Sequence, residues 1–350
     1  MHKLNKIKKN IKMSENERDI PLASKNNNST EDNKNTHDKN TFDEDSKSNE
    51  IVNNGNEYRK IHEIKIIGSN EAGDETYNCP DPILKFDNPV CKKAIKKELL
   101  ASGFTAPTPI QGQSWPICQE GRDIISIART GSGKTLGFLL PTFNAIKKLQ
   151  SRGINRTNQN NNTCTPLCVI LAPTRELVMQ IGSESIKFGK LVKIRTVIVY
   201  GGDSKGKQIY AMERLNPQII IGTPGRLTDF CNMGKIDLSK TCILILDEAD
   251  RMLDMGFEPQ LNEILDFMPK QITDSTRPLP SSGKCNQYSR QTLLFSATWP
   301  KSIRRIGAKF THNPIQLNVG NHKKLVANEM IEQTVLVMKE SEKFKKCHEI

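Results

Sequence analysis

A chain of 350 residues has room for two domains at most, at roughly 150 residues each, and its formal net charge of +12 gives it a pI of about 9.2. No apolar run approaches the roughly 18 residues that span a bilayer, and the basic N-terminus has no apolar stretch behind it, so neither a membrane span nor a secretory signal is expected. Nine cysteines, none in a CxxC with a matching Cys or His pair, argue against a structural zinc site and read as free thiols of an intracellular protein, nuclear or cytoplasmic.

Residues 1–78 are crowded with Asn, Lys, Ser, Glu and Asp, as in KNNNSTEDNKNTHDKN from Lys25 to Asn40. So little apolar surface is available to offset ordering entropy that a disordered tail is expected. Its lysines are nearly cancelled by its acids, so most of the positive excess belongs to the part that folds. A basic globular domain suits a polyanion such as RNA or DNA.

From residue 79 the texture changes to short apolar runs alternating with helical segments. Ile124–Ala128, Cys168–Ala172, Arg195–Tyr200, Ile219–Thr223, Ile243–Asp247 and Thr292–Ala297 are continuous apolar runs, as expected of strands covered on both faces. Helices are expected between them, for instance over Lys134–Leu149 and Glu176–Lys190. The alternation predicts a doubly wound, mostly parallel α/β sheet with helices on both faces and ligands at the carboxyl ends of its strands. Two polar stretches, Arg156–Thr163 and Thr273–Arg290, read as surface insertions.

The first strand runs into ARTGSGKT, Ala128–Thr135, and then a helix. Gly131 and Gly133 allow the backbone close to phosphates, and the amides of Thr130–Thr135 with the helix N-terminus make an anion site. Lys134 offers charge to the β- and γ-phosphates and the Thr135 hydroxyl a ligand for Mg²⁺. Ala128 stands where the general pattern has Gly. At the end of a later strand, Asp247 would hold Mg²⁺ and Glu248 would orient or deprotonate the attacking water. Alone, that acidic pair also fits a favourable helix N-terminus.

These residues establish only a nucleotide-triphosphatase of the P-loop kind. The remaining motifs, from Phe86 to Asn321, resemble the DEAD-box ATP-dependent RNA helicases. Phe104 and PTPIQ (Pro107–Gln111) look like that family's adenine-reading element, with Gln111 pairing with the base and Phe86, seventeen residues before Gly103, stacking on it. An amide can pair with adenine N6 and N7 and an aromatic face can stack on the ring. PTREL (Pro173, Thr174, Arg175), the pair Gly201–Gly202 and TPGR (Thr223, Arg226) occupy the places where the family grips an RNA backbone. Hydroxyls, arginine forks and glycine suit phosphate contacts without base readout. SAT, Ser296 to Thr298, resembles the element that couples nucleotide to RNA through the acidic motif, here by reaching Asp250. Arg129 departs from the Gln common in the family.

The resemblance implies a RecA-like P-loop domain over residues 79–320, using ATP and Mg²⁺ and binding RNA without regard to sequence. It also implies a second RecA-like domain in cis that carries transition-state arginines. Residues 321–350 read as a linker and the opening of that domain, because Trp299–Ile350 falls short of the roughly 100–150 residues a domain needs. Arg304-Arg305-Ile306-Gly307 reads as a solvated basic face. The chain alone is then expected to bind ATP weakly and hydrolyse it poorly. A non-enzymatic RNA- or partner-binding module is the competing reading. Another P-loop enzyme fits the cradle but leaves Gln111, PTREL, TPGR and SAT unexplained.

Overall fold

The computed structural model describes residues 55–69, 76–153, 163–269, 290–320 and 338–347. The tail before residue 55 and nearly all of both expected insertions lie outside these residues.

The six apolar runs form parallel strands: β2 (Ile124–Ile127), β3 (Cys168–Leu171), β4 (Thr196–Val199), β5 (Ile219–Gly222), β6 (Ile243–Leu246) and β7 (Gln291–Ser296). Two strands were not expected: β1 (Ile64–Ile67) and β8 (Ile315–Val319). The sheet order is β1-β8-β2-β7-β6-β3-β5-β4, antiparallel only between β1 and β8. Residues 55–69 are therefore not tail. Helix α1 (Gly55–Ile61) leads into β1, whose Ile64 pairs with Val319. The reason is long-range pairing: a four-residue strand in polar surroundings gains its partner only when the far end of the domain folds back.

Alternate residues of each central strand enter two apolar layers. Ile170, Ile221, Ile245 and Phe295 face one way, toward α2 (Lys93–Ala101), α3 (Pro109–Gln119), α4 (Lys134–Ser151) and α5 (Arg175–Leu191). Val169, Ile220, Leu244 and Leu294 face the other, toward α6 (Lys205–Leu215), α7 (Pro224–Asn232), α8 (Ala249–Asp254), α9 (Glu258–Asp266) and α10 (Lys301–Phe310). A last helix, α11, spans Glu340–Cys347. Covering both faces explains why the central strands are largely apolar, and each large side chain buried there stabilises by about 1.5–3 kcal/mol. Among the described residues six cysteines are buried thiols outside any disulfide, as expected. On α10, Ile303, Ile306 and Phe310 are buried while Arg304 and Arg305 are exposed. Among the described residues no helix is long and apolar enough to cross a membrane.

Because β2 to β7 run parallel, the loops that follow them emerge at one rim. In sheet order these are the ARTGSGKT loop, SAT, the Asp247–Glu248 turn, PTREL, TPGR and the Gly201–Gly202 turn.

Candidate nucleotide and RNA site

The phosphate loop is built by two left-handed glycines, Gly131 (φ +77°) and Gly133 (φ +92°). A Cβ at Gly131 would meet open space, so the demand there is conformational; one at Gly133 would stand 2.6 Å from Gln111 Nε2. Thr130 and Gly131 are exposed, Ser132, Gly133 and Thr135 half-buried, and Lys134 is buried with its Nζ donating to the Ala128 carbonyl at 3.3 Å. Gln111 Nε2 donates to the Gly133 carbonyl at 3.0 Å, while its Oε1 accepts from the Thr108 amide at 3.1 Å. The amide expected to read adenine thus sits on the phosphate loop. Phe86 is buried against Trp115, ring centroids 6.4 Å apart, and Phe104 is exposed.

Asp247 directly follows β6, and its amide donates to the Leu171 carbonyl at 2.9 Å, continuing the ladder to β3. Burial raises its carboxyl to a pKa of about 6, opposed by the nearby Lys134 ammonium and reinforced by Glu248. The folded chain therefore keeps a proton that the unfolded chain releases near pH 3.8. Stability contributed by this group falls as pH rises from about 4 to about 6 and is level above that. Asp247→Asn is expected to remove that slope, as urea denaturation at stepped pH would reveal. A slope retained in full would assign it elsewhere.

Glu248 caps α8 in the left-handed region (φ 53°, ψ 51°), a strained conformation for a non-glycine residue of the kind that collects at functional sites. Asp250 Oδ2 accepts from both the Thr298 amide, at 2.9 Å, and the Thr298 hydroxyl, at 2.8 Å. Of the two SAT hydroxyls expected to reach the acidic motif, Thr298 does and Ser296 does not. Ser296 is the last residue of β7, in register with Ile127, and its buried hydroxyl has no hydrogen-bond partner.

The cradle suits a magnesium nucleotide. The Ser132 and Ser296 hydroxyls are buried without a hydrogen-bond partner, leaving donors to spare. Thr135 and Asp247 offer the hard oxygen ligands magnesium prefers.

Across the β6–β3 boundary lie the residues assigned to RNA. Arg175 is exposed, its guanidinium 4.9 Å from the Tyr200 ring centroid. Thr174 caps α5, its hydroxyl accepting from the Leu177 amide at 3.2 Å, and Pro173 is buried beside it. Gly202 turns at φ +82° and is exposed. Thr223 caps α7 and is half-buried. Arg226 is 8% exposed and donates both terminal nitrogens to the Asp203 carbonyl, at 3.2 and 3.3 Å, so it holds the glycine turn in place. Sequence reasoning missed Tyr200, and also Gln208, which accepts from and donates to the Tyr200 backbone at 3.2 and 3.0 Å. Trp115, whose indole donates to the Leu136 carbonyl at 3.1 Å, was missed as well. The Thr108-x-x-Gln111 spacing of a capping box was the available signal for the contact between Gln111 and the N-terminus of α3.

Residues 108–306 match the family model for the DEAD/DEAH box helicase. The chain belongs to the DEAD/DEAH box helicase family. Over 293 residues it is 41% identical to DEAD-box ATP-dependent RNA helicase 14 of Arabidopsis thaliana, covering 84% of this chain and 42% of that one. It is 42% identical over 286 residues to the ATP-dependent RNA helicase dbp2 of Neurospora crassa, covering 82% and 44%. The chain thus spans less than half the length of these relatives. Among solved structures it is similar to the RNA-helicase Prp28 from Chaetomium thermophilum bound to ADP, with a TM-score of 0.60 and 32% identity over 77% of this chain and 57% of that one. The fold of this DEAD-box family member is RecA-like α/β.

Proposed function

We propose that this chain is the ATP-binding half of an intracellular ATP-dependent RNA helicase or RNA–protein remodeller. The observation that carries the reading is the shared rim: phosphate loop, acidic turn and SAT at the ends of β2, β6 and β7, with PTREL, TPGR and the glycine turn directly alongside at β3, β5 and β4. The family match and the names of its relatives support it.

In this reading Gln111 and Phe86 select adenine, the amides of Thr130–Thr135 hold the phosphates, and Lys134 takes the β–γ charge. Glu248 aligns the attacking water, its strained backbone fixing the carboxylate beside Asp247. Thr135 and Asp247 would hold a magnesium ion, which would supply positive charge against the phosphates. Arg175, the Gly202 turn and the α7 N-terminus at Thr223 hold RNA by its backbone, and Arg226 keeps the turn in shape. The Thr298–Asp250 bonds tie the SAT segment to the acidic turn, so a change at the nucleotide can be felt along the rim.

Efficient hydrolysis calls for a second RecA-like domain in cis. A transition-state arginine contributes roughly 10³–10⁵ in rate. Of the arginines following β7 in the described residues, Arg305 already makes a pair of bonds to Glu258, at 2.8 and 2.9 Å. Residues 1–350 alone are thus expected to hydrolyse ATP slowly with or without RNA. Strong RNA-stimulated turnover would refute the need for a second domain.

The RNA half is tested by filter binding of single-stranded RNAs of differing sequence. Arg175→Ala is expected to weaken all of them alike, by about tenfold, with ATP affinity unchanged. Binding that follows base sequence, or that ignores this change, contradicts the assigned track.

A further inference from the structure

The geometry points to Arg59, on α1, as a positioning residue for adenine selection, an inference that rests on the adenine-reading role proposed for Gln111. Arg59 lies well before the residue at which the family match begins. Its guanidinium is shared between two pieces of chain. Nε donates to Gln113 Oε1 at 2.8 Å, and Nη2 donates to the carbonyls of Cys79 and Pro80 at 3.2 and 2.8 Å. Nη1 donates to Asn56 Oδ1 of its own helix at 2.9 Å. Gln113 is fully buried and completes the knot, its Nε2 donating to the Pro80 carbonyl at 3.1 Å.

The same two pieces touch again further along. The Ile83 amide donates to the Gly112 carbonyl at 2.9 Å, and a Cβ at Gly112 would stand 2.8 Å from the Ile83 carbonyl oxygen. Backbone therefore lies against backbone. The Tyr77 hydroxyl donates to Glu120 Oε2 at 2.5 Å, at the C-terminal end of α3.

The other side of α3 holds the nucleotide machinery. Gln111 reaches the Gly133 carbonyl, and the Trp115 indole reaches the Leu136 carbonyl. Phe86 ends the segment that begins at Cys79 and packs on Trp115. Both residues assigned to adenine thus belong to pieces that Arg59 ties together. With its side chain 15% exposed, its bonds to buried partners are shielded, whereas the Asp81 carboxylate at 3.8 Å is 80% exposed and adds little.

A purely structural Arg59 and a positioning Arg59 differ in one readout. Loss of stability lowers affinity for every nucleotide alike, whereas misplacing Gln111 and Phe86 alters the choice of base. The test is competitive displacement of a fluorescent adenine nucleotide by ATP and by GTP from residues 1–350, with thermal unfolding recorded for each variant. Arg59→Ala is expected to lower the ATP-over-GTP preference between about three- and tenfold, in the direction set by Gln111→Ala. Arg59→Lys keeps the charge but not the planar fork and is expected to recover only part of the preference. Should Arg59→Ala fail to fold, Arg59→Lys carries the test. If Gln111→Ala leaves the preference intact, the adenine reading fails and this inference with it. If Gln111→Ala alters the preference but the Arg59 variants do not, or lower both affinities by one factor, the role of Arg59 is overturned and the adenine reading stands.

Discussion

Lys134→Ala is expected to weaken ATP binding about a hundredfold while leaving the fold intact. Truncating one partner of a buried charge contact costs roughly 2–5 kcal/mol, and about 3 kcal/mol corresponds to that factor. The fold survives because the native bond lost is a single long one, 3.3 Å to a loop carbonyl. The same change removes the cation that lowers the Asp247 pKa, so that carboxyl should hold its proton to still higher pH. Calorimetric titration with ATP in excess Mg²⁺ measures the effect. An affinity within about threefold of the parent chain would place the triphosphate elsewhere.

The largest stability loss is expected from Asp123→Ala, far from the rim chemistry. Asp123 is fully buried just before β2, and one carboxylate joins three elements. Oδ1 accepts from the Thr292 amide on β7 at 2.8 Å, and Oδ2 accepts from the His312 amide beyond α10 at 2.7 Å. Its charge also offsets that of Arg290, which is 2% exposed and whose pKa burial lowers. Removing it strands the buried Thr292 amide and the half-buried His312 amide and takes away the charge that offsets Arg290, a loss of about 3–5 kcal/mol. Arg305→Ala breaks the equally short contact with Glu258, but those side chains are 70% and 40% exposed, so the cost should stay below about 1 kcal/mol. Urea denaturation of both variants decides: comparable midpoints would mean that Asp123 carries no such burden.

The contrast between these two carboxylate contacts shows what a single sequence discloses. The strands β2, β3, β5 and β6 were legible because burial on both faces makes nearly every residue apolar, and the loops after them because their glycines, hydroxyls and charges have no purpose in a core. Strands β1 and β8 were not. Ile-Gln-Leu-Asn-Val alternates and is only half-buried, and its partner lies at the opposite end of the domain. Asp123 and Arg290 each precede an apolar run and read as ordinary turn charges. Only the order of strands, which places β2 beside β7, brings them together. Arg226 carries a contact its motif did not announce: its guanidinium braces the neighbouring turn.

Parallel strands give this molecule a working end and an idle one. The loops after β2 to β7 that are assigned to ATP or RNA leave the sheet at one end, while the chain enters β4 and β5 at the other through the left-handed turns at Lys193 and Asn216. A fluorophore or surface anchor attached at exposed Lys193 would sit at the far end of the sheet from those loops, leaving the rim clear of the tether.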